Sequence, residues 1–473
     1  MEHPNILCIS IDSLRSDFTS FMSDSDENTT PFLNSLSSQS TIYDNTISPS
    51  TWTLPVHTSI FTGLFPPEHG VETGEDILGE YPTFAQILSK NGYETKAFYK
   101  NGWLATGEIL RGFKQVSDSA SRSENSERSR KGQFAEAVGE FSPKSEFILK
   151  ETWDTTTQFL NWKSIFADSL QSDKGGQKTI DRAISATDSI NEPFCWFIHL
   201  NDAHWKYAPP APHHTTFSER SDLSLLYNYA LWQSRIYGSR TNRLKVAAGD
   251  IEPPERQVET FKNLYRGGIR YCDTLIEELV NSLKSRGIWE DTILIVFGDH
   301  GDGFGEDGIF GHHFSVHNSV IKVPLLIRDP TGRLENKRIS SPTSLIDIYP
   351  TVLGFIGESG RSPNAIDLAQ DQRDFTYTYY DISNQDYYTE APKKGIELER
   401  LPPAKQYVIY GGKEQKGVQY PDQEKFIKIG NSNDSLESKL NSHTKSLTEV
   451  QTREGSLGAD VEQQLEDLGY LRE

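Results

Sequence analysis

Acidic and imidazole side chains follow directly on three short apolar runs. Residues 5–11 (Asn-Ile-Leu-Cys-Ile-Ser-Ile) lead into Asp12, Phe194 to Leu200 into Asn201-Asp202-Ala203-His204, and Thr292 to Phe297 into Gly298-Asp299-His300-Gly301. Uninterrupted, β-branched apolar runs of this length are predicted to be buried strands. In open α/β sheets, ligands bind outside the carboxyl ends of the strands. A carboxylate beside an imidazole at such an end suits a divalent cation. Asp12, Asp299 and His300 are therefore candidate metal ligands. Each has a structural alternative: Asp12 as the N-cap of a following segment, Asp299 and His300 as turn residues. The arrival of Asp or His at three strand ends together favours a catalytic site.

The elements that must position these groups can be read from the pattern. A fourth strand is expected at Val323 to Ile327, and helices at Pro31 to Ser38, His57 to Thr62, Thr83 to Asn91 and Val258 to Arg286. Strands alternating with helices predict a parallel sheet covered on both faces. Residues 116–146, rich in Ser, Glu, Arg and Lys, read as a solvated loop. Residues 205–256 combine Pro clusters, Tyr, Trp and many charges; they read as a lid over the site or as a passive surface insertion. Strand-like Gln406 to Tyr410 and Lys425 to Ile429 suggest a small C-terminal α+β subdomain, and Val461 to Leu471 has helical spacing. The expected division is a catalytic domain over 1–360 and a subdomain over 361–473.

Bulk composition narrows the partners. The formal net charge is −20 over 473 residues. This argues against nucleic acid held on a basic face and against docking to an anionic membrane. An acidic surface fits a salty cytoplasm as well as an ordinary acidic soluble protein. Cys8, Cys195 and Cys272 are widely spaced and odd in number. They suggest buried apolar positions rather than a disulfide framework or a zinc knuckle. Neither a secretory leader nor a membrane span of roughly 20 apolar residues is legible, so a cytoplasmic protein is expected.

The segment Thr53-Leu-Pro-Val-His57-Thr-Ser-Ile-Phe-Thr62-Gly63-Leu-Phe-Pro66-Pro-Glu-His69-Gly70 resembles the signature of the sulfatases, a branch of the alkaline phosphatase superfamily. That signature reads Cys/Ser-x-Pro-x-Arg, with Thr-Gly nine residues after its first position, then Pro and His-Gly. Further blocks agree in order: Ile11 to Asp17, Gly92-Tyr93-Glu94-Thr95 with Asn101-Gly102-Trp103, Phe197 to Tyr207, Asp299 to His313 with Lys322-Val323-Pro324, and Ser344 to Thr351. The resemblance spans about three-quarters of the chain. It implies an α/β sandwich with a large mixed, mainly parallel sheet and a small C-terminal α+β subdomain.

It also implies roles. A nucleophile stands at a helix N-terminus, where unpaired N–H groups favour an anion, and Pro55 suits that first turn. The metal set becomes Asp12, Thr53, Asp299 and His300, holding Ca²⁺, Mg²⁺ or Mn²⁺, with Zn²⁺ also accommodated by the imidazole. Thr53, His204, His312, His313 and His57 become the catalytic candidates. Thr53 stands where sulfatases convert Cys or Ser to formylglycine. Threonine cannot yield that aldehyde, so the resemblance implies a direct threonine nucleophile. His57 replaces the signature's Arg, and Lys100 or Asn101 falls near the usual Lys. His312 or His313 takes the place of a later Lys. The expected substrate is a small-molecule or glycan-linked phosphate or sulfate ester, phosphate favoured. The alternatives are a two-metal phosphodiesterase using Asp202, His204 and another His, a phospho-group transferase, and an inactive anion-binding homologue.

Overall fold

Every residue of the Asn5–Ile11 strand is buried, and its side chains alternate between two cores. Leu7, Ile9 and Ile11 join one apolar cluster while Ile6 and Cys8 join the other. The neighbouring strands repeat the division. Trp196, Ile198 and Leu200 lie on the first face and Cys195 and Phe197 on the second; Leu294 and Val296 oppose Ile293, Ile295 and Phe297. A strand covered on both faces needs no polar alternation, which is why these runs are continuously apolar.

The computed structural model describes residues 3–23, 27–117, 174–218, 240–383, 385–412, 415–430, 435–450, 452–455, 458 and 461. Among them the main sheet has nine strands. Its order is Lys322–Val323, Thr41–Ile47, Leu325–Arg328, Thr292–Gly298, Asn5–Ile11, Phe194–Leu200, Glu94–Phe98 and Lys114–Val116, with Arg338–Ser344 also paired to Thr41–Ile47. Asn5–Ile11 runs parallel to both Phe194–Leu200 and Thr292–Gly298. Leu325–Arg328 is antiparallel to its two neighbours, which makes the sheet mixed. The Glu255–Ser285 and Gly176–Ala186 helices cover the first face, and Thr53–Thr62, Phe84–Lys90 and Ile348–Gly354 the second.

A second, four-stranded antiparallel sheet follows: Phe375–Asp381, Lys405–Gly411, Gln415–Tyr420 and Lys425–Ile429, backed by the Leu436–Ser446 helix. It is tied to the body where Tyr379 N–H donates to the Pro49 carbonyl (2.9 Å) and Thr378 Oγ1 to the Ser48 carbonyl (2.7 Å). The strand expected at Val323 to Ile327 is interrupted at Pro324, giving Lys322–Val323 and Leu325–Arg328. The helix expected from His57 begins earlier, at Thr53. Most of the loop expected at 116–146, residues 219–239 of the expected lid, and nearly all of the helix expected at Val461 to Leu471 lie outside the described residues. Among the described residues, no helix is long and apolar enough to cross a membrane.

Candidate active site

Where the chain leaves the Asn5–Ile11 strand at Asp12, Ser13 adopts a left-handed conformation (φ 61°). Such a backbone costs a non-glycine residue about 1–3 kcal/mol unless its surroundings hold it. Here the Ser13 N–H donates to Asp299 Oδ1 (3.0 Å) and the Tyr265 hydroxyl to the Ser13 carbonyl (2.6 Å). The turn after one strand thus fixes the carboxylate at the end of its neighbour. Gly301 completes the second strand end: a Cβ there would lie 2.1 Å from the Ser319 carbonyl oxygen, so only glycine lets the chain pass.

Asp12, Asp299 and His300 are fully buried, and their donor atoms lie within 4.8 Å of one another. His300 places Nδ1 3.1 Å from the Gly301 carbonyl, which fixes the Nδ1–H tautomer. Its Nε2 lone pair then faces Asp12 Oδ1 at 3.5 Å and Asp299 Oδ2 at 3.8 Å. Among the described residues, neither His300 Nε2 nor Asp299 Oδ2 has a hydrogen-bond partner. Burial and the charge of Asp12 push the Asp299 carboxyl well above its ordinary range. Burial also works to raise Asp12, but His204, the hydrogen bond from His199 and the nearby His300 outweigh it and hold Asp12 low. Two adjacent buried carboxylates and an imidazole lone pair, turned toward one point, lack the positive charge that would reconcile them. This donor set fits a divalent cation.

The other oxygen of Asp12 is held from the opposite side. Oδ2 accepts from Asn101 Nδ2 (2.9 Å) and Asn201 Nδ2 (3.0 Å) and lies 3.2 Å from His199 Nε2. Such outer partners orient a ligating carboxylate. Asn101 also reaches Thr53 Oγ1, at 3.5 Å, so one amide links the threonine hydroxyl to Asp12. Thr53 opens a ten-residue helix whose every side chain is buried, and it is itself 2% exposed. The helix ends at Gly63 in a left-handed conformation (φ 73°), the physical content of the Thr62-Gly63 pair.

The histidines separate by what they touch. His57 is fully buried, with Nδ1 2.8 Å from the Thr53 carbonyl and Nε2 3.1 Å from Ser10 Oγ. Both nitrogens serve interior partners, and burial drives its pKa well down. His57 joins the Thr53–Thr62 helix to the central strand. His204 places Nδ1 2.6 Å from the Trp205 carbonyl. His312 lies beside both His300 and His204 (ring centroids 4.5 and 5.5 Å), and its Nδ1 is 2.8 Å from Asp302 Oδ1. His313 packs against Tyr387 at 5.2 Å. Of the adjacent pair, His312 has its ring packed on His300, and His313 lies behind it at 4.5 Å. Asp202 accepts from the Lys174 N–H (2.9 Å), and its Oδ2 abuts Gly176, at the start of the Gly176–Ala186 helix.

Sequence reasoning assigned no role to His199, Asn201 or Asp302, and met Asn101 only as the residue near a missing Lys. His199 and Asn201 were legible as polar residues at the end of an apolar strand. Asp302 had the weaker signal of a carboxylate three residues after Asp299.

The large mixed sheet and the smaller antiparallel sheet that follows it make up an alkaline phosphatase-like fold. Residues 4–358 match the sulfatase family, and the chain belongs to it; the family consists of metal-dependent ester hydrolases. Among curated relatives, arylsulfatase K of Bos taurus is 24% identical over 380 residues, covering 75% of this chain and 63% of the relative. The multifunctional alkaline phosphatase superfamily protein PehA of Trinickia caryophylli is 26% identical over 156 residues, 30% of this chain and 29% of that protein. The chain thus spans less than two-thirds of the length of these relatives. Among solved structures, the phosphonate monoester hydrolase SpPMH from Silicibacter pomeroyi superposes with a TM-score of 0.65 at 19% identity, covering 94% of this chain and 93% of that one. BT4656, in complex with its substrate D-glucosamine-2-N,6-O-disulfate, gives 0.62 at 16% identity, with 94% and 96% coverage.

Proposed function

We propose that this chain hydrolyses phosphate esters through Thr53. The observation that carries the reading is the Asn101 amide shared between Thr53 Oγ1 and Asp12 Oδ2, which sets the threonine hydroxyl beside the buried Asp12, Asp299 and His300 group. Mg²⁺, Mn²⁺, Ca²⁺ or Zn²⁺ bound by those three residues with Thr53 supplies the charge that acidifies the hydroxyl and offsets charge on the ester oxygen.

Thr53 Oγ1 attacks phosphorus in line and its proton passes to solvent. The first turn of the Thr53–Thr62 helix and one of His204 and His312 hold the non-bridging oxygens. A histidine protonates the departing alcohol, and water attacking phosphorus then frees the threonine. A sulfated threonine lacks the elimination open to a formylglycine hydrate, so sulfate turnover stalls at that stage. The phosphonate monoester hydrolase fold match is compatible with attack at phosphorus. Similarity to arylsulfatase K favours a second reading, sulfate ester cleavage at the same site.

The test is a panel of substituted-phenyl phosphates and the matching phenyl sulfates, assayed with each of the four metals. Phosphate turnover well above sulfate turnover is expected. A strong preference for sulfate would overturn the phosphoester reading and leave the family assignment intact.

A further inference from the structure

The Asp302 carboxylate joins two groups that the reaction scheme leaves unconnected. It is fully buried, its Oδ1 lies 2.8 Å from His312 Nδ1, and its Oδ2 accepts from the Tyr207 hydroxyl at 2.6 Å. Tyr207 is 3% exposed and walled by Phe261, Tyr265 and Phe304, so the hydroxyl that grips Asp302 is itself fixed. We propose that Asp302, clamped by Tyr207, is a positioning residue that sets His312 as the group protonating the departing oxygen. This rests on the phosphoesterase reading above and names which histidine performs the step.

The two candidate histidines differ in what holds them. His204 has Nδ1 on a neutral backbone carbonyl, that of Trp205, whereas His312 has Nδ1 on a carboxylate. A hydrogen bond to a charged acceptor is about twice as strong as one between neutral groups. With Nδ1 taken by Asp302, Nε2 is the nitrogen that serves the substrate. In the step, the bond between phosphorus and the ester oxygen breaks and its electron pair stays on that oxygen. The Nε2 proton passes to the oxygen, and His312 is left neutral with its Nδ1–H still on Asp302. His204, fixed by a carbonyl, remains a donor to a non-bridging oxygen.

The test uses the full chain loaded with metal and a series of substituted-phenyl phosphates whose phenols span a wide range of acidity. A good leaving group needs no proton, so loss of the acid is felt most on poor ones. His312→Gln and Asp302→Asn are expected to lose about 100-fold more kcat/KM on the poorest leaving group than on the best. The double variant should be no worse than His312→Gln alone, and Tyr207→Phe should shift the series in the same sense by a smaller factor. Metal content by elemental analysis should stay at the wild-type level in all three single variants. Equal losses by Asp302→Asn across the series, additive losses in the double variant, or loss of metal from Asp302→Asn would each overturn the assignment. Should Asp302→Asn not fold, Tyr207→Phe, which removes only a hydroxyl, decides alone. A flat response of His312→Gln would remove His312 from the acid role and overturn this assignment, whereas the phosphoesterase reading itself fails only on a sulfate preference in the substrate panel.

Discussion

His300 presents an imidazole lone pair 3.5 Å from Asp12 Oδ1, and the Gly301 carbonyl on the other side of the ring holds it that way. A neutral histidine facing a carboxylate with its lone pair gains nothing without a cation between them. The Asp299→Asn variant, which removes one negative donor from this trio, is expected to lose at least 10-fold in metal affinity. Turnover should fall in parallel and be partly restored at high metal concentration. Isothermal titration of the metal-stripped protein measures this; unchanged affinity would remove Asp299 from the ligand set.

His57 tests the boundary between chemistry and architecture. Its two ring nitrogens bind the Thr53 carbonyl and Ser10 Oγ, and the ring packs on Phe61 and Phe197. His57→Ala should destabilise the fold by about 2–4 kcal/mol, from lost packing and two unmet polar groups. Denaturant unfolding reads this directly. If stability were kept while kcat collapsed, His57 would be acting on the substrate and not as a strut.

Much of this site was legible because buried parallel strands are apolar from end to end, so the first charged residue marks the carboxyl edge. Asp12, Asp299 and His300 stand out for that reason. Asn101 and Asp302 do not, because an amide or carboxylate in a loop has no periodicity, and its role depends on which strand end it meets across the sheet. The same limit applies to the fold. Thr41–Ile47 carries Asp44 and Asn45 midway, and Arg338–Ser344 contains Pro342, so neither reads as a strand of the main sheet. Pro324 splits what looked like one strand into two.

The signature's His69 predicts how stability responds to acid. Its ring accepts from the Val71 N–H and lies 3.0 Å from Ser59 Oγ, and burial pushes its pKa down to about 3. The fold therefore holds the neutral imidazole. The stabilising contribution is complete above the unfolded value of 6.5 and is lost as pH falls from there toward 3, at about 1.4 kcal/mol per pH unit. Urea unfolding of the wild type between pH 7 and pH 5 should show this slope, and His69→Gln should flatten it by up to one proton. An identical slope in both proteins would mean that His69 titrates normally in the folded state.

Covalent capture on Thr53 decides the central claim. The metal-loaded protein is mixed with a phenyl phosphate bearing a good leaving group, quenched in acid within the first turnover, digested and mapped by mass spectrometry. The account predicts a phosphoryl group on the peptide containing Thr53. It also predicts that Thr53→Ala shows neither adduct nor turnover, and that Thr53→Ser keeps part of the rate. A phosphoryl group on another residue, or full turnover by Thr53→Ala, would contradict it.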